Sequence, residues 1–163
     1  MNFHVGALHE ASGIPCSILR LFNAIGRNET NPHVVPHIFE SLRASSVIRL
    51  GNTSPQRDYI DTRDIAEAIL AVMRTADGLR IFNVGTGIAC SVADLIERLE
   101  RILNRDITVQ QDQERVRATE RMRLLADIGR IRSAAGWTPR LSLDDTLRDL
   151  ASAYGLPIGP LTS

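Results

Sequence analysis

Lysine is missing from this chain: all 19 basic residues are arginine. Chemistry that needs a lysine amine therefore cannot be completed by these residues alone. Nineteen acidic residues balance the arginines to a net charge of zero, and no run of basic residues stands out. That argues against nucleic acid as the main partner, because a phosphate backbone calls for a clustered positive surface. No apolar stretch reaches membrane-spanning length, and the first residues, Met1-Asn2-Phe3-His4, are not a charged leader before an apolar core. The two cysteines, Cys16 and Cys90, lie far apart and form no CxxC pair. They fit reduced thiols better than a disulfide or metal framework, so a soluble cytoplasmic protein is expected. There is no internal repeat and no low-complexity segment.

What is present suits one α/β domain. A length of 163 residues with 44% hydrophobic content supports a single real core. Residues 1–12 have helical composition, and Gly13-Ile14-Pro15 leads into residues 16–23, which read as a largely buried strand. After a polar loop at 26–32, residues 34–44 form a helix with Pro36 in its first turn. Strands are expected at 47–50, 79–84 and 107–109. Ser91-Val92-Ala93-Asp94 and Ser142-Leu143-Asp144-Asp145 are capping boxes that start two further helices, the first with apolar positions 92, 95, 96, 99, 102 and 103. Residues 110–123 read as an exposed loop or site. Asp127 caps a helix ending near Gly136, Trp137 is a packing anchor, and residues 155–163 are expected to fray as a flexible tail. Strands alternating with helices imply some parallel pairing.

The organising stretch is Gln56-Arg57-Asp58-Tyr59-Ile60-Asp61-Thr62-Arg63-Asp64. A short alternating segment turns at Asp61 and Thr62 into a helix whose apolar residues 65, 66, 69, 70, 72 and 73 are expected to form one buried face. Arg57 therefore precedes a rigid element. Its planar guanidinium could grip two oxygens of a phosphate or carboxylate, or it could pair structurally with Asp58 or Asp61. His33 and His37 stand four apart, but no third ligand is spaced to join them on a metal.

Taken in order, several stretches resemble the C-terminal half of extended short-chain dehydrogenase/reductases, the NAD-dependent epimerase/dehydratase family acting on nucleotide sugars. Gly13-Ile14-Pro15 with Leu19-Arg20-Leu21-Phe22-Asn23-Ala24-Ile25-Gly26 is similar to that family's G-[LI]-P and L-R-x-F-N-x-x-G. Val34-Val35-Pro36 and the run from Gly51 to Asp64, carrying R-D-[FY]-x-x-x-x-D, resemble its next two motifs. Phe82-Asn83-Val84-Gly85-Thr86-Gly87, then Arg117-Ala118-Thr119-Glu120 with Asp127, and Gly136-Trp137-Thr138-Pro139 resemble the remainder, so the likeness covers nearly the whole chain. It implies a few parallel strands of a Rossmann-type sheet plus a small α/β substrate domain over residues 1–154. The family's glycine-rich phosphate loop and its Tyr-x-x-x-Lys pair have no counterpart in this sequence. Gly85-Thr86-Gly87 is not that loop, since it lacks the third glycine.

By this resemblance, Arg57 and Arg117 clamp the diphosphate of a UDP-, GDP- or dTDP-hexose, and Glu120 accepts from ribose hydroxyls. Asn23 touches the sugar diphosphate, unless it is simply a turn asparagine, with Phe22 and Ala24 beside the nicotinamide of NAD or NADP. His33 is a further substrate-binding residue, and Val34, Ile48 and Leu50 line the base pocket, the last two partly through backbone groups; core packing is the alternative for each of these three. The chain reads as the substrate half of a nucleotide-sugar epimerase, dehydratase or reductase, without hydride chemistry of its own. A non-catalytic binding module and an interaction remnant are the alternatives. An uncovered strand edge at 16–23 predicts a homo-oligomer.

Overall fold

A computed structural model describes residues 2–27, 29, 33–75, 77–115 and 121–160. Helix α1 (Asn2–Ser12) leads through Gly13, whose backbone is left-handed, into strand β1 (Cys16–Leu21). Strand β2 (Asn23–Ile25) follows at once, then helix α2 (Val34–Ala44), β3 (Val47–Leu50), β4 (Gln56–Arg57) and β5 (Tyr59–Asp61). Helix α3 (Thr62–Met73) connects to β6 (Leu79–Val84) and β7 (Cys90–Ser91). The remainder is α4 (Val92–Leu103), β8 (Thr108–Gln111), β9 (Arg123–Leu124), α5 (Gly129–Ala135) and α6 (Leu143–Ala153).

Local chemistry sets most of these boundaries. Both expected capping boxes form: the Ser91 and Ser142 hydroxyls accept from the backbone N–H of Asp94 and Asp145, whose carboxylates answer the serine N–H. Asp61 caps α3 by accepting from Arg63 N. Asn104 and Gly136 end α4 and α5 in left-handed backbone, and Pro36 sits in the first turn of α2, where its missing N–H costs nothing.

Parallel pairing dominates. β1 runs beside β6 with Cys16 opposite Leu79 and Leu21 opposite Val84. β2 pairs with β5, and β3 with β8, also in parallel. β4 lies between β7, antiparallel, and β9, parallel. The fold is the α/β type expected.

Two hydrophobic clusters flank the short strand β5. Side chains alternate across a strand, so Tyr59 joins a cluster built from α2, β3, α4 and α6 while Ile60 joins one built from α3, β6 and α5. The six apolar positions expected on α4 are its buried residues. Burying each isoleucine or leucine there contributes about 2 kcal/mol. Trp137 is buried in the second cluster, as its packing role required.

Several expectations need correction. The strand over 16–23 breaks at Phe22 and is half-buried to exposed, with Leu21 51% exposed, because β1 has only β6 as a partner among the described residues. On α3 the buried residues are Asp64, Ile65, Ala68 and Val72, whereas Ala66, Ile69, Leu70 and Met73 face outward. The apolar arc of this helix is wider than the surface that covers it, and the covered part is rotated toward Asp64. The stretch 110–123 carries the end of β8, a 3-10 turn at Gln113–Arg115 and the start of β9. Asp127 bonds Gly129 N from one residue before the cap position. After Tyr154 the chain is held at two points: Leu156 is buried in the first cluster, and Gly159 N donates to Ile102 O at 2.8 Å.

Candidate functional site

β4 and β5 place Arg57 and Asp58 at the junction between the two clusters. Asp58 is fully buried, and a carboxylate there is tolerable only if its oxygens are filled by donors. They are. Oδ1 accepts from Thr86 N and Thr86 Oγ1, both at 2.7 Å, and Oδ2 accepts from Gly87 N at 2.8 Å and Ala126 N at 3.1 Å. The turn after β6 is thus wrapped around one carboxylate. Its first residue has to be glycine, since a Cβ on Gly85 would lie 2.5 Å from Ala126 Cβ and 2.7 Å from Asp58 Oδ2. The N–H groups of Thr86 and Gly87 are spent on Asp58 rather than left open for an anion.

The other acids of the stretch do similar work. Asp61 accepts from Arg63 N, Nε and Nη2 at 2.8, 2.9 and 2.8 Å, and from Thr146 Oγ1 of α6 at 2.8 Å. Burial alone would push its carboxyl up, but these bonds outweigh burial and hold it below the ordinary carboxylate value. Arg63 also reaches Asp149 of α6 at 2.7 Å. Asp64 accepts from Arg140 N and Leu141 N at 3.0 and 3.1 Å, fixing the turn after Trp137. Acids spaced three apart therefore fasten three distant segments. Sequence reasoning missed this; the spacing Asp58, Asp61, Asp64 was the available signal.

These contacts bear on Arg57. The carboxylates considered as its structural partners, Asp58 and Asp61, are filled by other donors. Arg57 Nη1 instead donates to the carbonyls of Gln56 at 2.9 Å and Arg121 at 2.8 Å, which orients the half-buried guanidinium through backbone groups. β9 pairs with β4 beside it, and Gln56 N donates to Met122 O at 2.8 Å.

Asn23 is brought to the same place. It follows β1 directly, stands opposite Tyr59 in the β2–β5 ladder, and its N–H donates to Asp58 O at 3.0 Å. Phe22 N donates to Val84 O at 3.0 Å, and Phe22, Asn23 and Ala24 are half-buried at the C-terminal ends of β1 and β6. Ligands of open α/β sheets gather at such ends. His33 is exposed at the N-cap of α2, with Val34 partly buried against the first cluster. His37 Nε2 lies 3.1 Å from Arg49 O. Ile48 and Leu50 are buried in the first cluster, 0% and 4% exposed, and Leu50 O accepts from Asp112 N. Arg117 and Glu120 lie outside the described residues.

The model of the family described as GDP-mannose 4,6 dehydratase matches residues 1–150 of this chain. The chain belongs to that family. Among its relatives, GDP-6-deoxy-D-mannose reductase of Pseudomonas aeruginosa is 25% identical over 144 residues, covering 84% of this chain and 47% of the relative. The fold matches RMD of Pseudomonas aeruginosa, solved with NADPH, at a TM-score of 0.83 and 23% identity, over 94% of this chain and 52% of that one. It also matches a UDP-N-acetylglucosamine 4-epimerase of Methanobrevibacter ruminantium, solved with UDP-N-acetylmuramic acid, at a TM-score of 0.81 and 24% identity, over 94% and 50% of the two chains. This member of the family spans about half the length of the curated relatives it matches. Among the described residues, no helix is long and apolar enough to cross a membrane.

Proposed function

We propose that this chain supplies the nucleotide-sugar diphosphate site of an NAD(P)-dependent nucleotide-sugar epimerase, dehydratase or reductase. The observation that carries the reading is that Arg57 and Asn23 converge on one stretch of backbone: Arg57 precedes Asp58 and is oriented by the carbonyls of Gln56 and Arg121, and Asn23 N donates to Asp58 O just past the C-terminal end of β1. A guanidinium oriented there by two carbonyls suits a diphosphate, which carries enough charge to reward a planar fork. Asn23 adds a neutral amide that can donate to a phosphoryl or sugar oxygen. Arg117 and Glu120 would complete the clamp and the ribose contact, and His33 and Val34 would edge the base.

Of a nicotinamide dinucleotide, these residues suit one end only. Half-buried Phe22, Asn23 and Ala24 could flank the nicotinamide, whereas the Thr86 and Gly87 amides are already taken and leave no cradle for the pyrophosphate. The cofactor supplies hydride transfer when bound. This chain's own part is to bind and orient the sugar nucleotide, since it contains no lysine to complete a Tyr-x-x-x-Lys pair.

Calorimetric titration of the chain with GDP-mannose, UDP-glucose and the matching nucleoside monophosphates tests this reading. Binding of a diphosphate sugar at least about tenfold tighter than its monophosphate supports it. Equal affinity, or no binding of either sugar nucleotide, would show that the diphosphate is not what this chain holds.

A further inference from the structure

We infer that Asp58 is a positioning residue for nucleotide-sugar binding: its carboxylate fixes the backbone frame from which Arg57 and Asn23 address the diphosphate. The inference rests on the reading of Arg57 proposed above and adds a residue that touches no ligand itself.

The geometry is that of a node. Asp58 is joined to Arg57 by one peptide bond, and its carbonyl accepts from Asn23 N at 3.0 Å. Its side chain is fully buried and accepts the four donors already described from Thr86, Gly87 and Ala126. Those donors come from two segments, the turn after β6 and the stretch after β9. Just before β9, the same run of chain carries the carbonyls of Arg121 and Met122, which meet Arg57 Nη1 and Gln56 N. Asp58 therefore closes a ring that runs from Arg57 to Arg121, along the chain to Ala126, and back through its own Oδ2. Loosening one link frees the carbonyl that aims the guanidinium.

Size and charge both matter at this position. Only a carboxylate presents enough acceptor lone pairs for four donors, and an amide in its place would turn an NH2 toward backbone N–H groups. A glutamate would need room that the close approach of Gly85 denies. A one-ångström displacement of a binding group can cost far more than its own contacts suggest, because the ligand then meets a misaligned fork.

The test is a double-mutant cycle on the chain, with calorimetry against GDP-mannose and melting temperature followed in parallel. Asp58→Asn is combined with Arg57→Ala, and Thr86→Val serves as a milder variant that removes the Oγ1 donor to Asp58 together with the acceptor of Ile88 N. The expected result is that Asp58→Asn weakens binding about tenfold when Arg57 is present and less than about twofold when it is alanine, with Thr86→Val showing the same pattern at smaller size. Equal weakening in both backgrounds would overturn the inference, because Asp58 would then act independently of Arg57. Unchanged affinity in a folded Asp58→Asn protein, while Arg57→Ala weakens binding, would overturn it and leave the diphosphate site standing. Should Asp58→Asn fail to fold, Thr86→Val decides by the same two criteria. An Arg57→Ala protein that binds as tightly as the parent removes the site and this inference together.

Discussion

Replacing Tyr59 by phenylalanine should stabilise the protein. Tyr59 is 4% exposed, packs in the cluster of α2, β3, α4 and α6, and its hydroxyl has no hydrogen-bond partner among the described residues. An unpaired buried hydroxyl forfeits its bonds to water, a penalty of about 1–3 kcal/mol that phenylalanine does not incur. Part of that gain is offset by the space the oxygen leaves, so about 1 kcal/mol of net stabilisation is expected. For a chain of this size it corresponds to a melting temperature roughly 2–4 °C higher. The resembling motif accepts Phe or Tyr at this position, consistent with a dispensable oxygen. The change also predicts a signature in alkali. Burial, with a smaller push from Cys90 and a partial opposing pull from Arg57, raises the phenol from 10.0 to about 12. The folded state thus prefers the neutral phenol, and its contribution is whole below the unfolded value and lost as pH rises from 10 toward 12. Urea unfolding of parent and Tyr59→Phe at pH 7 and in steps above pH 9 should show the variant more stable and its alkaline decline shallower. Cys90, which burial raises to about 11, and Tyr154, which burial also raises, contribute to the decline that remains. A loss of more than about 1 kcal/mol at pH 7 would refute the reasoning, since the hydroxyl would then be making a bond worth keeping.

Three further outcomes follow from the fold. Asp61→Asn should flatten the acid limb of stability: the parent carboxyl is held below its ordinary 3.8, so its contribution is present above that value and disappears as pH falls through the lower folded value, which acid titration by circular dichroism would register. Gly85→Ala should cost about 3 kcal/mol in urea unfolding, because the added methyl meets Ala126 and Asp58 below contact distance. We also propose self-association through the apolar surface around β1, where Leu8, Ile14, Leu21 and Leu79 are 54%, 56%, 51% and 41% exposed. Sedimentation showing a stable monomer at high concentration without detergent would count against it.

Where single residues set the outcome, the fold was legible. Ser91 and Ser142 announced their helices, and the 92, 95, 96, 99, 102, 103 pattern named the buried face of α4, because that helix has a polar side against which the period shows. α3 misled for the opposite reason. Apolar side chains occupy most of its circumference, so periodicity could not say which arc the fold covers, and Asp64, the buried acid, answers to a turn more than seventy residues away. Short strands such as β7 and β9 exist only through β4 and carry no pattern of their own. At the site, motif order pointed to Arg57 and Asn23, and the structure bonds Asn23 N to the carbonyl of Asp58, the residue next to Arg57. The spacing of Asp58, Asp61 and Asp64 could single out these acids, but not what Asp58 holds, because its donors are three backbone amides and one hydroxyl from the distant residues 86, 87 and 126. Ile48 and Leu50 were open to either assignment from type alone, and their side chains lie in the core, where a pocket contact would have to use their backbone groups.

The central claim is that Arg57 grips the diphosphate, and the most direct measurement is the dissociation constant for GDP-mannose of the parent, Arg57→Ala and Arg57→Lys proteins, taken alongside their melting temperatures. Losing a charge-assisted fork from a partly buried anion should weaken binding by about 1.5–3 kcal/mol in the alanine variant, with lysine recovering only part because a point charge cannot present two parallel donors. Melting temperature without ligand should change little, since the Gln56 and Arg121 carbonyls that Nη1 meets lie near the surface. The contradicting result is an alanine variant that melts well below the parent with and without ligand, yet binds GDP-mannose unchanged wherever it remains folded.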